Sequence, residues 1–171
     1  MHFAKVKFEA FRHDMMLYRP LNYMDGQTVE EAYEKIVLPE RKTKYSCGYD
    51  VRTPLDVVLS PGRSIVIPTG IKVVFNEDEM MTWHLKLYAR SSVGIKDRVV
   101  VTNGVGLIDS DFQYSDNDGD MLLALTNMSD SIKKYEAGDR VCQAVFEIFG
   151  ITSDDAADGA RVSGVGSTGI N

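Results

Sequence analysis

The sequence predicts an all-β fold, a sandwich or barrel of the jelly-roll type, with one short helix and a flexible C-terminal arm. From Tyr45 onward the helical period disappears and short β-rich runs replace it. Turn sequences such as Ser60-Pro61-Gly62 and Asn103-Gly104 separate these runs. Many short strands at this spacing are typical of sandwiches and barrels. The 171 residues are enough for one domain with a hydrophobic core.

The elements are expected in the following order. A first strand is predicted over residues 3–11. Thr28-Val29-Glu30-Glu31 has the capping-box pattern, which predicts a short amphipathic helix to about Leu38, and Pro39 ends it. The later strands are expected at residues 55–59, 64–68, 71–75, 83–88, 99–102, 121–126 and 141–149. Residues 1–152 would form the β domain, with a helical insertion at about 12–44, and residues 153–171 the Gly- and Ser-rich arm.

Residues 113–120 are predicted to form a polar hairpin tip. Three aspartates alternate there, as they do in a calcium-binding loop. The EF-hand arrangement also needs a glutamate six residues after the glycine and a helix on each side, which this segment lacks.

Composition and charge narrow the class of function. The net charge of −6 argues against broad electrostatic binding to nucleic acid. No apolar run approaches the ~20 residues of a membrane span, and the N-terminus does not resemble a secretory signal. A cytoplasmic location is expected. Cys47 and Cys142 lack metal-ligand spacing, so both thiols are expected to be reduced and packed.

Three segments could carry chemistry on an anionic small molecule. Asp109 could deprotonate a water for attack on a phosphorus or carbonyl centre, and the alternative is a turn aspartate bonded to its own backbone. Arg90-Ser91-Ser92 offers donors suited to a phosphate chain, although a solvated turn would have the same sequence. Arg161 and the glycines that follow it form a second phosphate-binding candidate without the lysine of a P-loop.

Together, these segments resemble the five ordered motifs of the trimeric dUTPase family. The matching segments are Cys47-Gly48-Tyr49-Asp50-Val51, Ala89-Arg90-Ser91-Ser92, residues 103–112, Gly138-Asp139-Arg140-Val141-Cys142-Gln143 and residues 161–169. The match covers roughly residues 45–171. The resemblance implies hydrolysis of dUTP to dUMP and pyrophosphate, with Mg²⁺ as the cofactor. It also implies a homotrimer in the cytoplasm, which would be the host cytoplasm if the protein is viral. Such a reaction limits uracil in DNA and supplies dUMP for dTMP synthesis.

The resemblance also implies a role for each residue. Asp109 would be the base that activates water, and Phe112 would pack against the deoxyribose. Uracil would be read by Asn103 and the neighbouring backbone, including Gly106 and Ile108. Phosphate contacts are implied for Arg90, Ser91, Ser92 and Gln143. The arm would close over the substrate of a neighbouring subunit with Arg161, Val165, Gly166, Ser167 and Thr168. Asp50 would approach magnesium through water, and Arg140 would be a structural ion-pair partner.

Several positions depart from the family pattern. Phe112 stands where tyrosine is usual, Val165 stands where the arm normally carries phenylalanine, and residues 113–120 lengthen the connection after Phe112. Two alternatives remain at this point: a dCTP deaminase, and a non-catalytic relative that senses nucleotides. Asn127 matches the deaminase pattern, but Ala124 stands where a deaminase needs glutamate.

Overall fold

The computed structural model describes residues 1–18 and 28–162. The strands are β1 His2–Lys5, β2 Tyr49–Arg52, β3 Val57–Leu59, β4 Ser64–Pro68, β5 Ile71–Val74, β6 Trp83–Ala89, β7 Val99–Val101, β8 Gly106–Ile108, β9 Leu122–Asn127, β10 Lys133–Tyr135 and β11 Arg140–Ile148. The α-helices are α1 Phe8–Tyr18, α2 Val29–Glu34 and α3 Glu77–Met80. A π-helical turn covers Ser92–Lys96, and a 3₁₀ turn covers Ser110–Tyr114.

The described strands form antiparallel sheets around one hydrophobic core, which confirms the all-β prediction. The largest sheet has the order β2-β11-β6-β8, and a second has the order β4-β9-β7. Two further pairs join β1 to β5 and β3 to β10. Side chains with no exposed surface, such as Leu55, Ile67, Leu85 and Leu125, fill the space between the sheets. None of the helices in the described part of the chain is long and apolar enough to cross a membrane.

Strand β4 and the start of α2 lie where strong local patterns predict them, although α2 ends at Glu34 and does not extend to Leu38. Strand β4 has the predicted bounds, between the turn at Pro61-Gly62 and a left-handed Gly70 with φ +67°. At α2, the Thr28 side chain accepts from the Glu31 N–H at 3.1 Å. The Glu31 side chain accepts from the Thr28 N–H at 2.9 Å, which completes the capping box.

The predicted strand over residues 3–11 is wrong beyond its first few residues. Strand β1 ends at Lys5, and α1 begins at Phe8. The fold therefore contains more than the one short helix that was predicted. Phe11 and Met15 lie one helical turn apart and are both buried, so this segment follows the period of a helix and not the alternation of a strand.

The predicted hairpin tip at residues 113–120 is also wrong. The segment connects β8 of the four-stranded sheet to β9 of the three-stranded sheet, so its flanking strands do not pair. Ser115, Asn117 and Asp120 are buried instead of exposed. Asp118 bonds the Lys72 ammonium at 2.8 Å. The prediction that both cysteines are packed holds for Cys142 and fails for Cys47, which is exposed.

A buried polar cluster ties this connection to α1. The Asn117 amide donates to Asp14 at 3.1 Å and to the Asp120 carbonyl at 3.1 Å. One carboxylate oxygen of Asp120 accepts from the Gly70 N–H at 2.8 Å, whereas the other has no hydrogen-bond partner among the described residues. Burial, and secondarily the charge of Asp14, raise the pKa of Asp120 well above its usual range. The cluster therefore fixes the segment that follows the 3₁₀ turn.

We expect Asp120→Asn to stabilise the protein at neutral pH. The unfolded state releases the Asp120 proton at about pH 3.9, but the folded state holds it to higher pH. Between these two pKa values the folded state binds more protons, so the free energy of unfolding falls as pH rises. An amide removes this titration and carries no charge, so the variant avoids the cost of ionising a buried carboxyl group as the pH rises.

Chemical denaturation between pH 4 and pH 8 would test this expectation. The variant should be more stable at neutral pH and should lose less stability than wild type across that range. Asp130→Asn, in an exposed loop, is the matched control. A variant that is less stable than wild type at pH 7 would show that Asp120 is needed as a carboxylate.

Candidate active site

Asp109 lies at the start of the 3₁₀ turn that follows β8. Its side chain is half exposed, and its backbone is extended with φ −68° and ψ 154°. The Asp109 carbonyl accepts from the Phe112 N–H at 3.0 Å, which closes the turn. The Asp109 side chain caps no backbone N–H of the turn, so its carboxylate is available for other partners.

Arg161 of the C-terminal arm docks on this turn. Its Nη2 donates to Asp109 Oδ2 at 2.5 Å, and its Nε donates to Asp111 Oδ1 at 2.7 Å. The guanidinium carbon lies 5.5 Å from the centroid of the Phe112 ring. We call Asp109, Asp111, Phe112 and Arg161 the Asp109 cluster. All four residues lie in one chain, with a carboxylate, a ring face and a cation in direct contact.

Asp50 on β2 is the centre of a second group. Its carboxylate accepts from Arg90 Nε at 2.9 Å and from Arg140 Nη1 at 3.0 Å. Arg90 follows the end of β6, and Arg140 begins β11, the strand between β2 and β6. The predicted structural ion pair of Arg140 is therefore present. We call Asp50, Arg90, Arg140 and Gln143 the Asp50 cluster.

Gln143 is placed in this cluster by its strand register and by Gly48. It pairs with Asp50 on one side of β11 and with Tyr88 on the other. A Cβ atom added to Gly48 would lie 2.6 Å from Gln143 Oε1, so a larger residue there would displace the end of this side chain. The sequence placed Gly48 in a motif but did not reveal its contact with Gln143.

The remaining predicted residues differ in how they are placed. Ser91 and Ser92 are exposed beside Arg90, and Asn103 is exposed in the turn between β7 and β8. Ile108 is 8% exposed and belongs to the core, so only its backbone could contact a nucleotide. A Cβ atom added to Gly106 would lie 3.0 Å from the Leu87 Cβ, which explains glycine at that position. Val165, Gly166, Ser167 and Thr168 lie outside the described residues.

The two clusters lie far apart within one chain. The Asp50 cluster extends from β2 across β11 to the end of β6, and the Asp109 cluster follows β8; β2 and β8 are the outer strands of the four-stranded sheet. Three strand spacings separate such strands by about 14 Å. The clusters are also offset along the strands. Gln143 pairs with Asp50 on one side and with Tyr88 of β6 on the other, whereas Ile108 pairs with Leu85, three residues before Tyr88 on β6. The chain does not bring its predicted phosphate ligands Arg90 and Gln143 together with Asp109.

Cysteine chemistry does not account for the site. Cys142 precedes Gln143 but points into the core, where burial raises the pKa of its thiol to about 12. Its sulfur lies 2.9 Å from the Tyr88 carbonyl oxygen. The thiol therefore stays protonated at neutral pH, and it is not a nucleophile.

Comparison with known proteins identifies the family of this chain. The dUTPase family model matches residues 34–169. A deoxyuridine 5'-triphosphate nucleotidohydrolase of Lactococcus lactis is 37% identical over 137 residues, which are 78% of this chain and 89% of the relative. The chain belongs to the dUTPase family. A second nucleotidohydrolase of this kind, from Actinobacillus pleuropneumoniae, is 33% identical over 87% of this chain and 95% of its own length.

Solved structures of family members share the fold. The dUTPase from Streptococcus mutans superimposes with a TM-score of 0.64 and 28% identity, over 90% of this chain and 99% of its own. A dUTPase of Staphylococcus bacteriophage 80alpha superimposes with a TM-score of 0.59 over 74% of this chain and 84% of its own, at 22% identity. The first of these matches covers so much of the chain that it includes part of the N-terminal segment before Tyr45, which the sequence motifs left unassigned.

Within the family motifs, the structure adds one residue that sequence reasoning passed over. Asp111 is the second aspartate of the Ile108-Asp109-Ser110-Asp111 sequence, and it contributes half of the ion pairing that holds Arg161. The available signal was its spacing, because it lies two residues after the predicted base.

Proposed function

We propose that this protein hydrolyses dUTP to dUMP and pyrophosphate, with Asp109 as the base that activates a water for attack on the α-phosphorus. The observation that carries the proposal is the Asp109 cluster. It combines the half-exposed carboxylate and the aromatic ring of one turn with an arginine of the arm that docks on that turn. A carboxylate can accept the proton of the attacking water, and a guanidinium can stabilise the charge on the phosphate oxygens.

The remaining cationic and polar residues would bind the substrate. Arg90, with the exposed Ser91 and Ser92, offers donors to the phosphate chain, and Gln143 offers an amide. Asn103 and the backbone of β8 would read the uracil edge, which a close-fitting pocket can distinguish from thymine and cytosine. Phe112 would face the deoxyribose. Arg161 would move from Asp109 to the phosphates and leave the base free to accept a proton.

Magnesium is proposed as the companion of the triphosphate. The described residues contain no cluster of three or more His, Cys, Asp or Glu side chains that could hold a metal ion. Asp50 is neutralised by Arg90 and Arg140, so it would reach the ion through water, as the hydration of Mg²⁺ favours. The ion would neutralise part of the phosphate charge, and removing it with EDTA should abolish turnover.

A homotrimer with shared sites is supported by the separation of the two clusters. Phosphates next to the attacked phosphorus must lie within a few ångströms of Asp109. In the same chain, Arg90 lies five residues beyond Leu85, the residue of β6 that pairs with Ile108, which is about 17 Å along the strand. Gln143 is level with Tyr88 of β6, so it lies about 10 Å along the strands and two strand spacings across the sheet. Closed cyclic symmetry would bring the Asp50 cluster of one subunit against the Asp109 cluster of the next. Each of the three sites in the ring would then be built from the same residues of two neighbouring subunits.

The proposed activity is tested by a nucleotide panel. dUTP, dTTP, dCTP and UTP would each be assayed for pyrophosphate and for ammonia, with magnesium and with EDTA. Pyrophosphate from dUTP alone supports the proposal, and ¹⁸O from labelled water should appear in dUMP if attack occurs at the α-phosphorus. Ammonia from dCTP would indicate a deaminase. The structure offers little support for that activity, because Ala124 has no carboxylate and the Asn127 amide already donates to the Leu59 and Ser131 carbonyls at 2.8 Å each. Binding without turnover would indicate a nucleotide sensor.

Phe112→Ala is expected to let UTP in as a substrate. The smaller side chain leaves room for the 2′-hydroxyl, so the ratio of kcat/KM for dUTP to that for UTP should fall by roughly 10- to 100-fold. Phe112 is only 6% exposed, and its loss will also destabilise the fold. The ratio is unaffected by the fraction of folded enzyme, and Phe112→Tyr, which keeps the ring, is the control. An unchanged ratio in the alanine variant would remove Phe112 from the sugar pocket.

A further inference from the structure

Arg161 is the one docked side chain in an otherwise exposed stretch of the described arm. Every residue from Ile151 to Ala160 is exposed, and Val162 is 79% exposed. The Arg161 side chain is only 16% exposed. A long, mobile side chain loses conformational freedom when it is held in this way, so specific contacts must hold it.

Asp111 and Asp109 accept from different nitrogens of the guanidinium. Arg161 Nε donates to Asp111 at 2.7 Å, and Nη2 donates to Asp109 at 2.5 Å. Asp109 and Phe112 are three residues apart in a 3₁₀ turn, so they lie on the same side of it and meet the same guanidinium. The turn therefore fixes the orientation of Arg161 as well as its position.

We propose that Asp111 is a positioning residue that acts through Arg161. It holds Nε and so directs Nη2 toward Asp109, where the attacked phosphate would lie. This inference rests on the proposed function. Guanidinium has five N–H donors, so the bond from Nε to Asp111 leaves the Nη donors able to exchange Asp109 for phosphate oxygens. Arg161 then turns about its bond to Asp111, and Asp109 is released to accept a proton from water.

A purely structural role for Asp111 makes different predictions. An acidic residue in the first turn of a short helix stabilises it through the helix dipole. Replacing such a residue would lower the unfolding midpoint, and the effect of the replacement on catalysis would not depend on Arg161. A positioning residue instead loses its effect when Arg161 is absent.

A double-mutant cycle separates these roles. Asp111→Ala, Arg161→Ala and the double variant would be compared for kcat/KM with dUTP and for the Kd of a non-hydrolysable imido analogue. Asp111→Ala should lower kcat/KM by roughly 10- to 100-fold in the presence of Arg161 and by less than about twofold in its absence. Asp111→Glu, which keeps the carboxylate, should recover part of the loss. An equal loss in both backgrounds overturns the proposal.

Limited trypsin digestion supplies a readout that does not depend on activity. Trypsin cleaves after Arg161 only when this side chain leaves the turn, so Asp111→Ala should accelerate that cleavage severalfold. Asp154→Asn removes the same charge from the arm seven residues away and is the matched control. Unchanged cleavage in Asp111→Ala overturns the proposed contact. If Asp111 protects Arg161 but the wild type neither binds the analogue nor hydrolyses dUTP, the proposed function fails and the positioning role fails with it, while the contact itself stands.

Discussion

Asp109→Asn is expected to lower kcat for dUTP by ~10²- to 10⁴-fold, which corresponds to about 3–5 kcal/mol of barrier. The amide cannot accept the proton of the attacking water. Its shape is nearly that of the carboxylate, so the geometry of the 3₁₀ turn should be kept. Asp109 caps no backbone group, which means that the substitution should have little effect on stability.

The measurement is steady-state turnover together with the Kd of the imido analogue and the unfolding midpoint. We expect a large loss of kcat, a Kd within a few-fold of wild type, and an unchanged midpoint. Loss of the Asp109 charge also frees one edge of Arg161, so analogue binding should not weaken. Asp130→Asn serves as the control for a change of net charge. Turnover at the parental rate would show that Asp109 is a turn residue.

The parts of the fold that the sequence predicted correctly depend on neighbouring residues. The bounds of β4 follow from the turns on each side of it, and the start of α2 follows from a contact between residues three positions apart. The part that failed depends on distant residues. The polar residues of 113–120 are buried because Asn117 bonds Asp14, 103 residues away, and because Gly70 and Lys72 bond aspartates of the same segment.

The candidate site was predictable in composition but not in arrangement. Motif matching identified Asp50, Arg90 and Asp109, whose residue types suit phosphate chemistry. It could not show that Asp50 is paired with two arginines, or that Arg161 contacts Asp109 and Asp111. The Asp50 contacts depend on how β2, β6 and β11 are ordered in the sheet, and hydrophobic patterning does not specify the order of strands. The Arg161 contacts join residues about 50 positions apart in the chain.

The separation of the clusters leads to a test of how subunits share the site. Two variants that are inactive alone should restore activity to each other if their intact parts meet across an interface. One is Asp109→Asn with a complete arm, and the other is a chain ending at Gly159, which lacks Arg161 and the residues after it. In randomly mixed trimers with an arm that reaches a neighbour, about a quarter of the sites would combine an intact Asp109 with an intact arm.

The contact between Arg161 and Asp109 in one chain makes the opposite outcome informative. If each arm closes over its own subunit, no site in the mixture joins an intact Asp109 to an intact arm, and activity stays at the parental level. A second mixture, Asp109→Asn with Arg90→Ala, examines the Asp50 cluster in the same way. We expect recovery to about a quarter of wild type in this mixture, because the register of β6 on β8 places Arg90 about 17 Å along the strand from the end of β8 in its own chain.

Mixing must be verified before activity is interpreted. Refolding the two chains together, one carrying an affinity tag, and isolating the mixed species would establish that subunits have exchanged, and light scattering would give the assembly size. The truncated chain alone should keep the same size, since Arg161 is the one docked residue among the described residues that it lacks, and Ala160 and Val162 are exposed. Recovery with Arg90→Ala but not with the truncation would mean that subunits share the phosphate ligands and each keeps its own arm. Failure of both verified mixtures would show that each subunit carries a complete site, and the shared-site proposal would be wrong.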